Sequence, residues 1–195
     1  MNREQVLQFV REYVSSESLI RHMLSVEAAM RFYARMLGQD EEEWAIAGLL
    51  HDYDWEIHPN PIEHPLLGLQ LLRDKGISEE IIEAIGGHGD ETGIPRRSLL
   101  SKGLYACDEV TGLITAVALV RPSRSLHDLT PKSVRNKWKD RSFAAGADRT
   151  LIAAAAEEFG VELWQHVDNV IQAMRTIAAE LGLDGVLQEG TGNRE

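Results

Sequence analysis

Asp40-Glu41-Glu42-Glu43-Trp44-Ala45-Ile46-Ala47-Gly48-Leu49-Leu50-His51-Asp52 is the stretch on which the fold turns. Asp40 is a helix N-cap, and the three glutamates fill a first turn where the helix dipole favours negative charge. From Trp44 to Leu50 every residue is apolar or glycine, so this helix is expected to be buried. It ends on His51-Asp52, which carries two polar side chains into the interior. A buried, unpaired Asp is costly, and so is a charged His beside apolar packing. The pair therefore needs a compensating partner, and a divalent cation is a good one. Imidazole and carboxylate together suit Fe, Mn, Co, Ni or Zn. The dipeptide alone is weak, as the second copy, His127-Asp128, shows. That copy lies in a Pro-flanked segment with no apolar helix feeding it, and reads as a surface turn.

Outward from this helix the chain is helical throughout. Asn2 caps a first helix with Val6, Phe9, Val10 and Tyr13 on one face. Ser16 and Ser18 open a second, in which Leu19, Met23, Val26, Met30, Tyr33 and Leu37 recur at three- and four-residue steps until Gly38. Tyr53 to Pro61 reads as a loop broken by Pro59 and Pro61. A helix is expected from Pro65 to Gly76, a short one from Ser78 to Gly86-Gly87, and a long one from Ser98 to Val120, ended by Pro122. A loop region from Pro122 to Gly146 holds a short helix after Pro131. Helices over about 148–159 and 162–181 follow. No strand-like alternation competes, so the fold class is all-α. The expected organisation is a single domain over 1–184, with a core at about 17–120 and a C-terminal helical cap at about 121–184. Residues 185–195 are expected to be a flexible tail.

Bulk properties narrow the function. Hydrophobic residues make up 44% of 195 residues, enough for a real core, but aromatics are only 6%, so Leu, Ile, Val and Ala must fill it. The net charge of -11 disfavours a stable nucleic-acid complex, because a phosphate backbone needs Lys and Arg. No apolar run approaches the ~18 residues of a membrane span. The single Cys107 permits no internal disulfide, which fits a reducing compartment. The chain reads as cytoplasmic, with no membrane partner and with a homo-oligomer allowed for.

Further candidate ligands fall on separate elements: His22 in the second helix, His64 before Pro65, His88 after Gly86-Gly87, and Asp108 among apolar neighbours in the long helix. His58 is a substitute ligand, His166 reads as a structural core residue, and Cys107 as a packing residue. The order His22, His51-Asp52, His64, His88, Asp108 resembles the HD-domain superfamily of metal-dependent phosphohydrolases. His64-Pro65-Leu66-Leu67-Gly68-Leu69-Gln70-Leu71-Leu72 is similar to the His-Pro-x-x-Gly-x-x-Leu-Leu segment of its two-metal members. Ala106-Cys107-Asp108-Glu109-Val110-Thr111-Gly112-Leu113-Ile114 is similar to the Ala-x-Asp-Glu-x-Thr-Gly-Leu-Ile helix of small bacterial HD hydrolases.

The resemblance implies an HD-type helical bundle holding two divalent metal ions, drawn from Fe, Mn, Co, Ni or Zn with Mg also allowed. One ion would take His22, His51, Asp52 and Asp108. The other would take His64 and His88, with Asp52 bridging. At the fourth position the family often has two adjacent histidines, or His followed by an acid, whereas this chain has His88-Gly89-Asp90-Glu91. The implied reaction is metal-assisted hydrolysis of a phosphate ester or phosphodiester of a nucleotide or similar small metabolite, with Asp52 on both ions and Asp54 or Glu91 managing protons. The alternatives are a di-iron oxygenase on the same scaffold and a non-catalytic nucleotide-sensing module.

Between Arg121 and Arg141 seven basic residues face only Asp128 and Asp140, in a chain that is acidic overall. Lys132, Arg135 and Lys139 share one helical face, with Val134 and Trp138 on the apolar side. This face is expected to grip a small anionic phosphorylated substrate as a lid over the metals.

Overall fold

The computed structural model describes residues 1–185. The expected tail, apart from Gly185, lies outside the described residues. Among them are nine α-helices and no strand, only a lone antiparallel bridge between Ser125 and Asp184. The chain is all-α, as the periodicity indicates. No helix among the described residues is long and apolar enough to cross a membrane.

Local signals set the first three helices. Helix α1 (Arg3–Tyr13) begins with a reciprocal box in which Asn2 Oδ1 accepts from Gln5 N–H at 3.0 Å and Gln5 Oε1 accepts from Asn2 N–H at 2.9 Å. Helix α2 (Glu17–Leu37) starts at a Ser16 cap and stops at Gly38, whose φ of +66° is left-handed. Helix α3 (Glu41–Leu50) is capped by Asp40, which accepts from the N–H groups of Glu42 and Glu43, and it runs straight into His51.

The rest of the order is α4 (Leu69–Asp74), α5 (Glu79–Gly86), a single 3-10 turn (Asp90–Thr92), α6 (Leu99–Leu119), α7 (Pro131–Trp138), α8 (Arg149–Phe159) and α9 (Leu163–Arg175). Two elements are shorter than expected. The helix anticipated from Pro65 starts only at Leu69, because the preceding turns are tied elsewhere: Tyr53 Oη donates to Gly68 O at 2.6 Å. Helix α9 stops at Arg175, whose guanidinium donates to the carbonyls of Leu126 and Leu129. From there turns lead to Leu183, whose carbonyl accepts from Leu126 N–H at 2.8 Å.

One hydrophobic cluster runs from Val6 to Leu183, so the C-terminal helices share their core with α2 and α6. At its centre α2 and α3 cross very closely. A Cβ on Gly48 would lie 2.9 Å from both the Cα and the backbone nitrogen of Glu27, so only glycine fits this crossing. Glu27 is itself buried and is held by Arg3 at 2.6 Å and Arg31 at 2.9 Å, which fastens α1 to the same place.

A second buried polar knot joins α9 to the core. Tyr33 Oη lies 2.6 Å from His166 Nδ1, and His166 Nε2 lies 2.8 Å from Ala106 O. A carbonyl only accepts, so Nε2 carries the hydrogen and Nδ1 accepts from Tyr33. Asn169 donates to Tyr33 Oη at 3.3 Å. The imidazole is therefore neutral, and burial lowers its pKa below 6.5. The unfolded chain then takes up a proton that the folded one refuses, so this residue's linkage costs nothing above pH 6.5 and destabilises the fold as pH falls below it. The loss cannot exceed about 1.4 kcal/mol per pH unit for one group. Thermal melts at pH 7.5 and 5.5, with chelator present, should show a smaller acid-induced drop in Tm for His166→Gln than for the parent. Equal drops would mean that His166 is not the responsible group.

Candidate metal centre

Five segments aim side chains at one point. His22 comes from α2, His51 and Asp52 from the end of α3, His64 from the turn before α4, His88 from just beyond α5, and Asp108 from the middle of α6. They form two groups, His22–His51–Asp108 and Asp52–His64–His88. In the first, His22 Nε2 is 3.2 Å from His51 Nε2 and 2.9 Å from Asp108 Oδ1. In the second, His64 Nε2 is 3.1 Å from His88 Nε2 and 3.1 Å from Asp52 Oδ1. Asp52 faces both groups, because its other oxygen, Oδ2, lies 3.5 Å from His51 Nε2 and 3.6 Å from His22 Nε2.

The opposite edge of each ring fixes what these nitrogens can do. His51 Nδ1–H donates to Gly48 O at 2.8 Å, and His88 Nδ1–H donates to Ile85 O at 2.6 Å. His64 Nδ1–H donates to Asp54 Oδ1 at 2.8 Å. Thr111 Oγ1 donates to Asp108 O at 2.7 Å, which leaves it to accept from His22 Nδ1 at 3.4 Å. A neutral imidazole with a hydrogen on Nδ1 has a bare lone pair on Nε2. Two pairs of lone pairs thus face each other at 3.2 and 3.1 Å. That is repulsive unless a cation lies between them. Ligand atoms about 2.1 Å from one ion stand roughly 3.0–3.4 Å apart, so both groups fit a divalent metal, and imidazole with carboxylate is a suitable donor set.

The electrostatics agree. Burial alone would lower the pKa of His51 and His64, but nearby carboxylates outweigh it. Asp52 and Asp108 hold His51 well above its ordinary value, and Asp52 with Asp54 pushes His64 up to about 9. Burial would likewise raise Asp52 and Asp108, but His51 with His64 and His88 hold the first well below the usual range, and His22 with His51 lower the second. Without metal, the site pulls protons into the places where cations would sit.

The centre opens into a cavity of about 580 Å³ whose wall includes His22, Asp52, His64, His88 and Asp108. Glu91 lines it, as does Glu109, which the sequence reading passed over. Burial and the neighbouring Asp108 push the Glu109 carboxyl up to about 7. Its position directly after an expected ligand was the available signal. Trp55 also lines the cavity, with its ring edge-on to His64 at 5.0 Å.

Other candidates lie elsewhere. Asp54 is 1% exposed and sits behind His64, not on the cavity wall, so contact with substrate is closed to it. Its Oδ2 is buried without a hydrogen-bond partner among the described residues, and a Cβ on Gly68 would come within 2.5 Å of that oxygen. Lys132, Arg135 and Lys139 do not line the cavity. Val134 anchors α7 in the core, and the Arg135 guanidinium stacks over the Trp164 ring at 4.3 Å. The connection between α7 and α8 brings Ala144, Gly146 and Ala147 to the cavity instead. His58 pairs with Glu63 at 3.7 Å and belongs to neither ligand group, and His127-Asp128 is exposed, with Asp128 paired to Arg121 at 2.6 Å. Cys107 is buried in the packing of α6, and burial pushes its thiol up.

Comparison with known proteins finds that the family model described as HD domain matches residues 19–113, which include all six candidate ligands. Over 98 residues, half of this chain and 18% of the relative, the chain is 32% identical to the ribonuclease Y of Oleidesulfovibrio alaskensis. It is 31% identical to the ribonuclease Y of Desulfotalea psychrophila over 147 residues, 71% of this chain and 27% of the relative. For the ribonuclease Y of Rhodopirellula baltica the figures are 28% over 142 residues, 70% and 26%. The aligned segments thus span about a quarter or less of these relatives. No solved structure matches the chain.

The Asp54–His64 contact predicts a defined defect. With Asp54→Ala, His64 loses the acceptor that orients its ring, and metal affinity should fall about 10- to 100-fold. Chelator competition on the purified variant measures this, and an unchanged affinity would remove Asp54 from the site's support.

Proposed function

Residues 19–113 place this chain in the HD-domain superfamily, and we propose that it is a metal-dependent hydrolase that cleaves a phosphate ester or phosphodiester of a small molecule with the help of two divalent cations. The observation that carries this reading is the two-sided Asp52 carboxylate, with one oxygen toward His22 and His51 and the other toward His64 and His88. His22, His51 and Asp108 would hold one ion, His64 and His88 the other, with Asp52 shared. When bound, such ions lower the pKa of a water molecule and polarise a phosphoryl oxygen. Two divalent charges exceed the two ligand carboxylates, so the loaded centre is cationic and suited to an anionic ester.

The protein's own groups supply the rest. Gly48 O and Ile85 O fix the ring orientation of His51 and His88, and Asp54 does so for His64. Glu91 and Glu109 line the cavity, and Glu109, whose carboxyl is pushed up to about 7, can hold a proton for the leaving oxygen. Among the described residues no Lys or Arg lines this cavity, whereas Asp90, Glu91 and Glu109 do. A long nucleic-acid backbone would find no counter-charge there, which favours a small substrate over a polymer.

Purified protein should contain Fe, Mn, Co, Ni or Zn. It should release phosphate from, or cleave, at least one compound in a panel of nucleotides, phosphomonoesters and phosphodiesters assayed with each metal. Asp52→Ala should lower both metal content and rate, the rate by roughly 100-fold or more. Full metal content and activity in that variant would overturn the proposal, as would inactivity of the loaded parent on every phosphate ester offered.

A further inference from the structure

A second cavity, of about 560 Å³, shares two wall residues with the first, His22 and Gly112. Its character is opposite. Among the described residues the first has no cationic side chain other than its histidines, and three acids beyond the ligands. The second is lined by two guanidinium groups, Arg21 and Arg124, against one carboxylate, Asp184. Thr115 contributes a hydroxyl and Leu119 an apolar surface. Successive residues of an α-helix point about 100° apart, so α2 can direct His22 to the metal centre and Arg21 to the neighbouring cavity. Arg21 lies against Gly182, where a Cβ would come 3.5 Å from its Nη1.

Gly112 is the residue that the fold leaves unexplained. It sits inside α6, exposed, where glycine is unfavourable relative to alanine. The glycines inside α3 and α6 at 48 and 103 are required by close packing against Glu27 and Trp44, but a Cβ at 112 would meet nothing within 4 Å among the described residues. The protein itself does not need the gap, yet Gly112 borders both cavities. With no side chain, Gly112 puts nothing between the two at that point of their shared wall.

From this we infer that the substrate is a small molecule with two anionic groups that occupies both cavities. Its scissile phosphate lies at the histidine–aspartate centre, its second anion at Arg21 and Arg124, and the part between them crosses α6 at Gly112. The inference rests on the hydrolase reading above and narrows its substrate class. Guanidinium groups bind phosphate and carboxylate alike through paired N–H donors, so either can serve as the second anion.

Calorimetric binding of alkanediol bisphosphates of increasing length to the Mn-loaded 195-residue chain tests this, with the matching monophosphates as reference. At the best length the bisphosphate should bind roughly tenfold or more tightly than the monophosphate. Phosphocarboxylates in the same series show which second anion is preferred. The bisphosphate-to-monophosphate ratio should fall toward one in Arg21→Ala with Arg124→Ala, and also in Gly112→Leu. Gly112→Ala should raise Tm, since it adds helix propensity and no clash; a lower Tm would give the glycine a structural role and overturn the argument built on it. A ratio near one in the parent, or one that the substitutions leave unchanged, would likewise overturn the inference. Failure of the hydrolase reading looks different: the parent would then cleave no phosphate ester, whatever its charge preference.

Discussion

The metal centre depends on how closely two helix backbones approach. At the crossing of α2 and α3 any side chain larger than hydrogen on Gly48 would strike the backbone of Glu27. That contact brings His22 and His51 to 3.2 Å. The same contact buries Glu27, whose charge is met by Arg3 and Arg31. Stability and site geometry therefore meet in one place. Ring orientation in the site follows from the same backbone, because Gly48 O is the acceptor that holds His51.

The centre turns four imidazoles and two carboxylates toward one another. His22, His51, His64 and His88 each spend Nδ1–H on a neighbour and turn Nε2 inward. Two carboxylates add negative charge among them. In the absence of metal the carboxylates draw protons onto His51 and His64, and those protons must leave when a cation enters. Desolvation alone would neutralise the carboxylates, but their many close partners win and keep them ionised.

Asp54 and Gly68 show how a short motif can act through support. Asp54 touches His64 and is closed off from the cavity. Gly68 leaves the space that Asp54 Oδ2 and the Tyr53 hydroxyl occupy, and its carbonyl accepts from Tyr53. Tyr53 and Asp54, directly after the His51-Asp52 pair, thus clasp the Gly68 segment and aim His64. The early part of the expected α4 gives way to turns for the same reason.

Helix boundaries and ligand identities were legible in the sequence because their causes are local. A cap, a first-turn glutamate or a stop glycine acts within about four residues, and the apolar periodicity around each His and Asp marks it as facing inward. The ends of α4 and α9 were not legible, since Tyr53–Gly68 and Arg175–Leu126 are contacts between distant segments. The sorting of six ligands into two groups was implied only by resemblance. It rests on helix crossings that join residues as far apart in the chain as His22 and Thr111. The basic face of α7 looked like a lid because charge pattern records sign but not destination; packing of Val134 and the stack of Arg135 on Trp164 decide where that helix turns. Arg21, Arg124 and Gly112 lie far apart in sequence, and only the folded chain sets them along one pair of cavities. Local backbone preference wrote the elements into the sequence, while the close approach of their surfaces determined which side chains meet.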